Sequence, residues 1–386
     1  MPIRNRTFRY KMVRFFVGLS YYFYTLLRSL SQIMKVYLNF IFFIFFVYSD
    51  IFGGGFEFAK FAGEFLSTGV GARPLGMGGA FVALANDGTA GYWNPSGLAF
   101  LNYPQIVLMH SERFKGAGKY DYVSLSFPYH TGRSIGFSLI RLGIDDIADT
   151  RNALEDYGLD GIPNTGDFGE NNGEMDPGER LNEDKIIFFS NTDYAFFISY
   201  SKRQREGFTY GGNIKLIKRG IGEDSAFGVG FDIAVLLKKW QRLSLGANLM
   251  DATSTAIIWN TGRKELISPT LKLGMAYKIE TKFFNGFVTP LIDWDVRFEN
   301  RKFSSQYNVG PISLDPHYGI EINIIDRVFL RSGYDDIKRV AFGAGVKLPK
   351  LNIDYSFNSF DNIDQLGNTH RISITLTIEE EKFRRK

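Results

Sequence analysis

Hydrophobic residues alternate with small or polar residues over many segments of this chain, and this period of two restricts the fold to one built from β-strands. In residues 227–238 one set of alternate positions is apolar: Phe227, Val229, Phe231, Ile233, Val235 and Leu237. The other set holds Gly228, Gly230, Asp232, Ala234, Leu236 and Lys238. The same alternation recurs in 271–279, 351–358 and 371–378. Successive side chains of a strand point to opposite faces, so each segment is predicted to be a strand with one apolar face.

Fourteen segments of this kind follow one another, and the connections between them alternate in length. Candidate strands begin near residues 104, 119, 134, 193, 207, 226, 241, 268, 284, 315, 327, 338, 350 and 369. Long connections near 112–118, 143–192, 252–267, 297–314 and 359–368, with shorter ones near 220 and 335, alternate with tight turns. A soluble β-sandwich also has alternating strands. An even number of strands with short turns at one end and long loops at the other is, however, typical of outer-membrane barrels.

These patterns predict an all-β fold, a transmembrane antiparallel β-barrel of about 14 strands over residues 104–378. Residues 143–192 form its long acidic extracellular loop, and residues 379–386 form a charged C-terminal tail. We interpret residues 55–103 as an N-terminal hatch or plug in the lumen. Five carboxylates fall on the positions opposite the apolar ones, which predicts a polar lumen rather than an acid–base pair: Asp232, Asp293, Asp295, Glu321 and Asp354.

The N-terminal region has the order of a secretory signal peptide. Residues 34–54 begin with a Lys after the first Met, continue with an apolar run over 36–48, and end in small and polar residues. A transmembrane helix is the alternative, but the apolar run is shorter than the roughly 20 residues that span a bilayer. Residues 1–33 are interpreted as a misassigned upstream extension, with Met34 as the true start. We therefore expect a multi-pass protein of the bacterial outer membrane, embedded in its lipid.

Composition excludes several classes of function. The chain has no Cys and only four scattered His, at positions 110, 130, 317 and 370, which removes disulfide scaffolds, thiolate zinc sites and cysteine nucleophiles. Residues 53–386 hold 38 basic and 40 acidic residues, so a nucleic-acid partner is not expected. Since no Ser and His show a local catalytic pattern, we predict no catalytic residue and no enzymatic activity.

Residues 71–100, GARPLGMGGAFVALANDGTAGYWNPSGLAF, are too interrupted for a long helix and too rich in small residues for a barrel strand. Gly88, Gly91 and the pair Asn94–Pro95 favour turns, so a compact piece is expected. A dinucleotide-binding loop is the alternative, but its third glycine and its strand–helix context are missing. The segment resembles the N-terminal signature of the PorV/PorQ family, within the FadL-like outer-membrane barrels. The residues of this hatch motif are Gly76, Gly78, Gly79, Asp87, Asn94, Pro95, Ser96 and Gly97.

This resemblance implies a hatch that precedes a fourteen-stranded barrel, and it implies two functions. The first is protein secretion or surface attachment, similar to type IX secretion, with secretion-system or cargo proteins as partners. The alternative is FadL-like transport of hydrophobic small molecules across the outer membrane. A ligand site would then be apolar, and the candidates for it are Phe81, Leu84, Tyr92 and Trp93. A soluble lipid-binding β-protein is a third interpretation.

Residues 155–184 form an acidic stretch with ten carboxylates against Arg180 alone. Four of its residues, Asp156, Asp160, Asn164 and Asp167, take positions 1, 5, 9 and 12 of an EF-hand-like calcium loop, with Gly161 at position 6. Gly158 replaces the usual ligand at position 3, and Asp167 replaces the bidentate Glu. Two interpretations stay open, a weak calcium site and a solvated acidic loop. No other cofactor is expected.

Overall fold

The computed structural model describes residues 57–58, 63–113, 116–239, 242–298, 305–359 and 368–385 of the 386-residue chain. Within these residues, fourteen antiparallel strands form one closed barrel, numbered here in chain order. They are β1 Gln105–Arg113, β2 Gly118–Tyr129, β3 Arg133–Asp149, β4 Ile187–Arg205, β5 Phe208–Ile221, β6 Asp224–Lys239, β7 Leu243–Met250, β8 Thr270–Tyr277, β9 Gly286–Arg297, β10 Ile312–Ile324, β11 Val328–Tyr334, β12 Val340–Leu348, β13 Leu351–Asn358 and β14 Thr369–Thr377. The predictions for 1–33 and 34–54 lie outside the described residues.

Pairing between the first and the last strand closes the barrel. Strands β1 and β14 are antiparallel neighbours, with Gln105 opposite Thr377 and Glu112 opposite His370. Every other strand pairs with the strands before and after it in sequence. The predicted all-β antiparallel barrel of fourteen strands is confirmed.

Several short elements accompany the barrel. The helices are α1 Glu64–Ser67, α2 Ala72–Leu75 and α3 Ala90–Trp93, with 3-10 helices at Pro95–Phe100, Glu183–Lys185 and Glu381–Phe383. The short strands are Glu57–Phe58, Leu154–Glu155, Arg180–Leu181, Thr255–Trp259, Lys264–Ile267, Ile279–Thr281 and Tyr307–Val309. In the described part of the chain, no helix combines the length and the apolar character needed to cross a bilayer.

The alternation in sequence decides which face of each strand points outward. Along β6 the apolar set that includes Phe227 and Ile233 is exposed on the outside, and Ile233 is 59% exposed. The other set, including Asp232 and Ala234, is buried in the lumen. A barrel with an apolar exterior and polar groups inside is suited to lipid, because all backbone hydrogen bonds are satisfied within the closed sheet.

The two ends of the barrel differ as expected. At one end, which we call the short-turn end, connections such as 206–207 and 349–350 are tight. At the other, the long-loop end, the connections include 150–186 and 251–269. The least accurate strand start is that of β4, predicted near 193 and observed at Ile187. Its first residues are exposed on both faces, so burial there does not follow the period of two.

Candidate functional site

Residues 63–103, which we call the plug, fill the lumen and contact inward-facing residues of many strands. Near the long-loop end, Arg113 Nη1 of β1 donates a hydrogen bond to Thr68 Oγ1 at 2.8 Å. Lower down, the Ala72 amide donates to Ser373 Oγ of β14 at 2.7 Å. The plug then reaches the short-turn end, where residue 103 leads into β1. Its core is apolar and continuous with buried wall residues such as Phe197.

Asn94 of the hatch motif connects three parts of the molecule. Its Nδ2 donates to the carbonyl oxygens of Val82 in the plug, at 2.9 Å, and of Val235 in β6, at 3.1 Å. Its Oδ1 accepts from the amide and the hydroxyl of Ser96, the second residue of the 3-10 helix that begins at Pro95. Asn94 is extended (φ −161°), as is favoured before proline. Position 97 accepts only glycine, because a Cβ there would collide with the Ala85 carbonyl.

Arg73 links the plug to the wall by charge. Its Nε and Nη2 donate to the two carboxylate oxygens of Glu321 in β10, at 2.9 and 3.0 Å. Its Nη1 donates to Asp87 of the hatch motif at 2.8 Å. Glu321 also accepts from Arg331 of β11 at 2.8 Å, and Arg331 pairs with Asp354. Burial alone would lower the pKa of Arg73, but the carboxylates of Glu321 and Asp87 hold it above its ordinary value.

A second carboxylate of the wall holds the plug backbone. Asp293 Oδ2 of β9 accepts from two consecutive plug amides, those of Phe81 and Val82, both at 2.7 Å. Its cross-strand neighbour His317 of β10 contacts the carbonyl oxygen of Gly78 through Nδ1 at 2.7 Å. Gly78 has φ +64°, and a side chain there would meet the backbone of Tyr334, so only glycine lets the plug approach β11 this closely.

The remaining hatch glycines also lie against the wall or the plug core. Gly76 approaches Gly343 of β12, with 3.0 Å between a Cβ built on Gly76 and the Gly343 Cα. Gly79 has φ +81° and lies beside Trp93 and His317. The structure therefore places the predicted hatch-motif residues within one plug segment. Whether they act as a hatch in transport stays a prediction.

The predicted ligand residues are distributed over two sites. Phe81, Tyr92 and Trp93 form a buried aromatic cluster, with ring centroids 6.3 Å apart for Phe81 and Trp93 and 5.0 Å apart for Tyr92 and Trp93. The Tyr92 hydroxyl donates to the Leu66 carbonyl, and burial raises its pKa well above the ordinary value. Leu84 instead lines a separate cavity. Ligand binding by these four residues stays a prediction.

That cavity, which we call the vestibule, has a volume of about 650 Å³ and lies at the short-turn end below the plug. Charged groups line much of it: Arg73, Asp87, Lys238, Arg242, Lys278, Glu321, Asp326, Arg331, Lys347, Lys350, Asp354 and Glu379. Beside the vestibule, Arg385 of the C-terminal tail joins the plug to the wall. Its Nε donates to the Leu101 carbonyl of the plug at 2.6 Å, and its Nη2 donates to Ser134 Oγ of β3 at 2.6 Å.

The acidic loop is held by hydrogen bonds between its carboxylates and its own backbone. Asp156 Oδ2 accepts from the Gly173 amide at 2.7 Å, and Asp167 Oδ2 accepts from the Asp160 amide at 2.8 Å. The hydrogen bond from Arg180 lowers the pKa of Glu155. Among the residues that the structure describes, no three His, Asp or Glu side chains are grouped so that they could hold a metal ion. Calcium binding by Asp156, Asp160, Asn164 and Asp167 stays a prediction.

Sequence reasoning placed Asp293, Glu321 and Asp354 in the lumen but missed what they hold. Arg73, the plug residue that binds Glu321, was not predicted as a site residue. Lys215 of β5 was also missed; it is fully buried and pairs with Asp232 at 2.8 Å and with Asp251. The available signal was weak: Arg73 is one cation within an apolar, glycine-rich segment, and Lys215 is one cation on the inward parity of its strand.

Comparison with protein-family profiles and with curated sequences finds no match. Among solved structures, the toluene transporter TbuX of Ralstonia pickettii matches with a TM-score of 0.52 and 9% identity, over 81% of this chain and 99% of that chain. A FadL homologue of Pseudomonas aeruginosa matches with a TM-score of 0.48 and 11% identity, over 80% and 98%. The toluene transporter TodX of P. putida matches with a TM-score of 0.48 and 13% identity, over 81% and 99%.

The similarity to TbuX shows a shared fold and nothing finer, because identity this low does not establish a ligand or an activity. The predicted barrel shares its fold with TbuX, while its place among the FadL-like barrels stays a prediction. The finer assignment to the PorV/PorQ family stays a prediction, as does the absence of enzymatic activity.

Proposed function

We propose that this chain is an outer-membrane channel for small hydrophobic compounds, whose plug must shift for a compound to pass. The main evidence for this proposal is the plug, whose core is apolar and aromatic and lies inside a closed barrel with an apolar exterior. Phe81, Tyr92 and Trp93 are at most 4% exposed, so a compound reaches them only after the plug has moved. TbuX, which shares this fold, is a toluene transporter, and we take small hydrophobic compounds from it as the substrate class to be tested.

The test is a reversible cross-link between plug and wall. A Cβ built on Gly91 of α3 lies 3.9 Å from the Cβ of Ser199 in β4, close to the mean of about 3.8 Å in disulfides. The chain has no Cys, so Gly91→Cys with Ser199→Cys gives a single possible bond. We expect oxidation to reduce toluene uptake by cells that produce this variant to the level of cells without the protein. A reductant should restore it.

The matched control joins wall to wall. Gly136 of β3 and Ser199 are cross-strand partners, and a Cβ on Gly136 lies 3.4 Å from the Ser199 Cβ. The pair Gly136→Cys with Ser199→Cys should therefore form a bond within the wall. A Cβ on Gly136 also lies 2.9 Å from Leu98 Cδ1 of the plug, so uptake by the reduced variant is the baseline, and this uptake should survive oxidation. Uptake that is equal with and without the protein would refute the proposed function. Uptake that survives the plug cross-link would refute the moving plug.

A role in protein secretion or surface attachment is the second candidate, and the acidic loop favours it. The loop exposes apolar side chains among its carboxylates, with Phe168 80% and Met175 62% exposed. A surface of this kind suits a protein partner. Deleting the protein from its own host and following toluene uptake and export of surface proteins in the same cells separates the two candidates. Lost export with normal uptake would favour secretion.

A further inference from the structure

Four inward-facing polar residues stand side by side across four adjacent strands near the long-loop end. Ser111 of β1 is opposite both Tyr120 of β2 and Arg371 of β14, and Arg371 is opposite Ser356 of β13. We call these four residues the donor row. None of them is more than 2% exposed. Within the described chain, each has a buried polar atom with no hydrogen-bond partner: Tyr120 Oη, Ser111 Oγ, Arg371 Nε and Ser356 Oγ.

Arg371 carries a charge that its surroundings do not balance. Its Nη1 donates to the amide oxygen of Asn358 at 2.6 Å. The Nε–H of the same guanidinium has no hydrogen-bond partner. No carboxylate of the described residues forms an ion pair with it. The charged groups that act on it electrostatically include two cations, Arg339 and Arg113, and one carboxylate, Asp335, which is already paired with Arg339 at 2.7 Å. A buried charge without a counter-charge is strongly destabilising, so an anion beside Arg371 would be stabilising.

The plug spans the donor row without binding it. Residues 68–72 contact the wall above the row, where Arg113 donates to Thr68, and below it, where the Gly71 amide contacts Met109 Sδ and the Ala72 amide donates to Ser373. Arg113 and Met109 lie two residues on either side of Ser111, and Ser373 lies two residues from Arg371. These three contacts of the plug therefore lie on either side of the row and leave its four residues unbound.

We propose that the donor row binds an oxyanion, a carboxylate or phosphate group, between the wall and plug residues 68–72. Hydroxyls can donate and a guanidinium can only donate, so the row offers donors from four adjacent strands and one positive charge. Arginine presents adjacent N–H groups that match the two oxygens of a carboxylate or phosphate. Water could satisfy the hydroxyls but would leave the charge of Arg371 unbalanced. The proposal is independent of hydrocarbon transport.

The test measures anion affinity on the full-length protein purified in maltoside micelles. Inorganic phosphate, benzoate and toluene are titrated separately by calorimetry in a buffer whose other ions bind weakly. Tyr120→Phe removes one hydroxyl with little change in volume, and we expect it to weaken phosphate or benzoate binding about tenfold. Tyr122→Phe is the matched control. Tyr122 is on the same strand and equally buried, but its hydroxyl already meets Ser138 and Gly88. It should leave anion affinity unchanged.

The results of these titrations either identify the kind of anion that binds or refute the site. Binding of phosphate alone identifies a free inorganic anion, binding of benzoate alone identifies a carboxylate ligand, and binding of both identifies a general oxyanion site. Arg371→Gln should abolish all of them, and heat-dependent mobility on gels would show that this variant is folded. The proposal is overturned if neither anion binds, or if Tyr120→Phe and Tyr122→Phe bind as the unchanged protein does. Toluene uptake would be unaffected by that result.

Discussion

The two sides of the lumen wall hold the plug in different ways. On the side formed by β9 and β10, the groups that bind the plug are Asp293, His317 and Glu321, two carboxylates and a histidine. On the side formed by β13, β14, β1 and β2, the plug meets neutral groups or a cation, such as Ser373, Met109 and Arg113. The second side also carries the donor row. Of these two sides, as the structure describes them, only the first binds the plug through carboxylates.

This difference indicates which side can give way. The first side holds the plug through two carboxylates, one of them in an ion pair with Arg73, whereas the second side has one charge-assisted hydrogen bond, from Arg113. Since charge-assisted hydrogen bonds are roughly twice as strong as neutral ones, β9 and β10 should keep the plug when β13 to β2 release it. Unsatisfied donors behind residues 68–72 lower the cost of opening that side, because exposure to water or to an anion would satisfy them. A compound that passes the plug would then pass along the second side. The predictions below test this asymmetry.

Removing the charge of Glu321 should have the largest effect. Glu321 is 2% exposed and binds both Arg73 and Arg331, so Glu321→Gln leaves two buried cations with less compensation. Breaking one member of a buried ion pair costs about 3 to 5 kcal/mol. We expect a lower free energy of unfolding in urea and faster proteolysis of the plug within an intact barrel. Asp145→Asn removes an exposed pair with Lys119, and it should change the free energy of unfolding far less because solvent screens that pair. Equal losses in the two variants would contradict the charged anchor.

Replacing Arg371 should raise the free energy of unfolding rather than lower it. In buffer without oxyanions, Arg371→Met exchanges an uncompensated buried charge for an apolar side chain of similar length, and replacements of buried charges can stabilise by about 1 to 4 kcal/mol. Urea unfolding should therefore show a gain. Phosphate should stabilise the unchanged protein and not the variant. If Arg371→Met is destabilised in both buffers, the second side is held as firmly as the first, and the asymmetry is wrong.

The barrel could be predicted from sequence because its determinants are local. Alternation within each strand and the length of each connection are visible in short windows, and thirteen of the fourteen strand starts fall within three residues of the prediction. Asn94 and its neighbours stood out for the same reason, since a turn residue before proline is a local signal. The start of β4 was the exception because its first residues are exposed on both faces.

The contacts between plug and wall could not be predicted, because their partners are far apart in sequence. Arg73 and Glu321 are separated by 248 positions, and nothing in either neighbourhood specifies the other. The donor row depends on the register between the first and the last strand, which is fixed only when the barrel closes. Parity identified Asp293 as inward-facing. It could not show that two plug amides would meet this carboxylate.

Asp293→Asn should weaken the first side by a smaller amount. One carboxylate oxygen accepts from the amides of Phe81 and Val82, and an amide oxygen can accept from the same donors without charge assistance. The expected loss is about 1 to 2 kcal/mol. Urea unfolding and amide hydrogen exchange at Phe81 and Val82 measure it. Asp326→Asn, which removes an exposed partner of Lys347, is the control and should leave exchange at those amides unchanged. Unchanged exchange in Asp293→Asn as well would remove Asp293 from the anchors.

Calcium on the acidic loop should have the smallest effect and should leave both sides of the lumen as they are. The ligand set is incomplete, so we expect weak binding at about 0.1 to 1 mM, as in extracellular modules. Neutralising clustered carboxylates should order the loop and slow its cleavage between Glu155 and Asp184 in the solubilised barrel. A variant with Asp156→Ala and Asp160→Ala should be cut at the same rate with calcium and with a chelator. Proteolysis of the plug should not change in any of these conditions. If the two proteins are cleaved at equal rates in both conditions, the segment is a solvated acidic loop. If calcium changes proteolysis of the plug, the loop reaches the lumen.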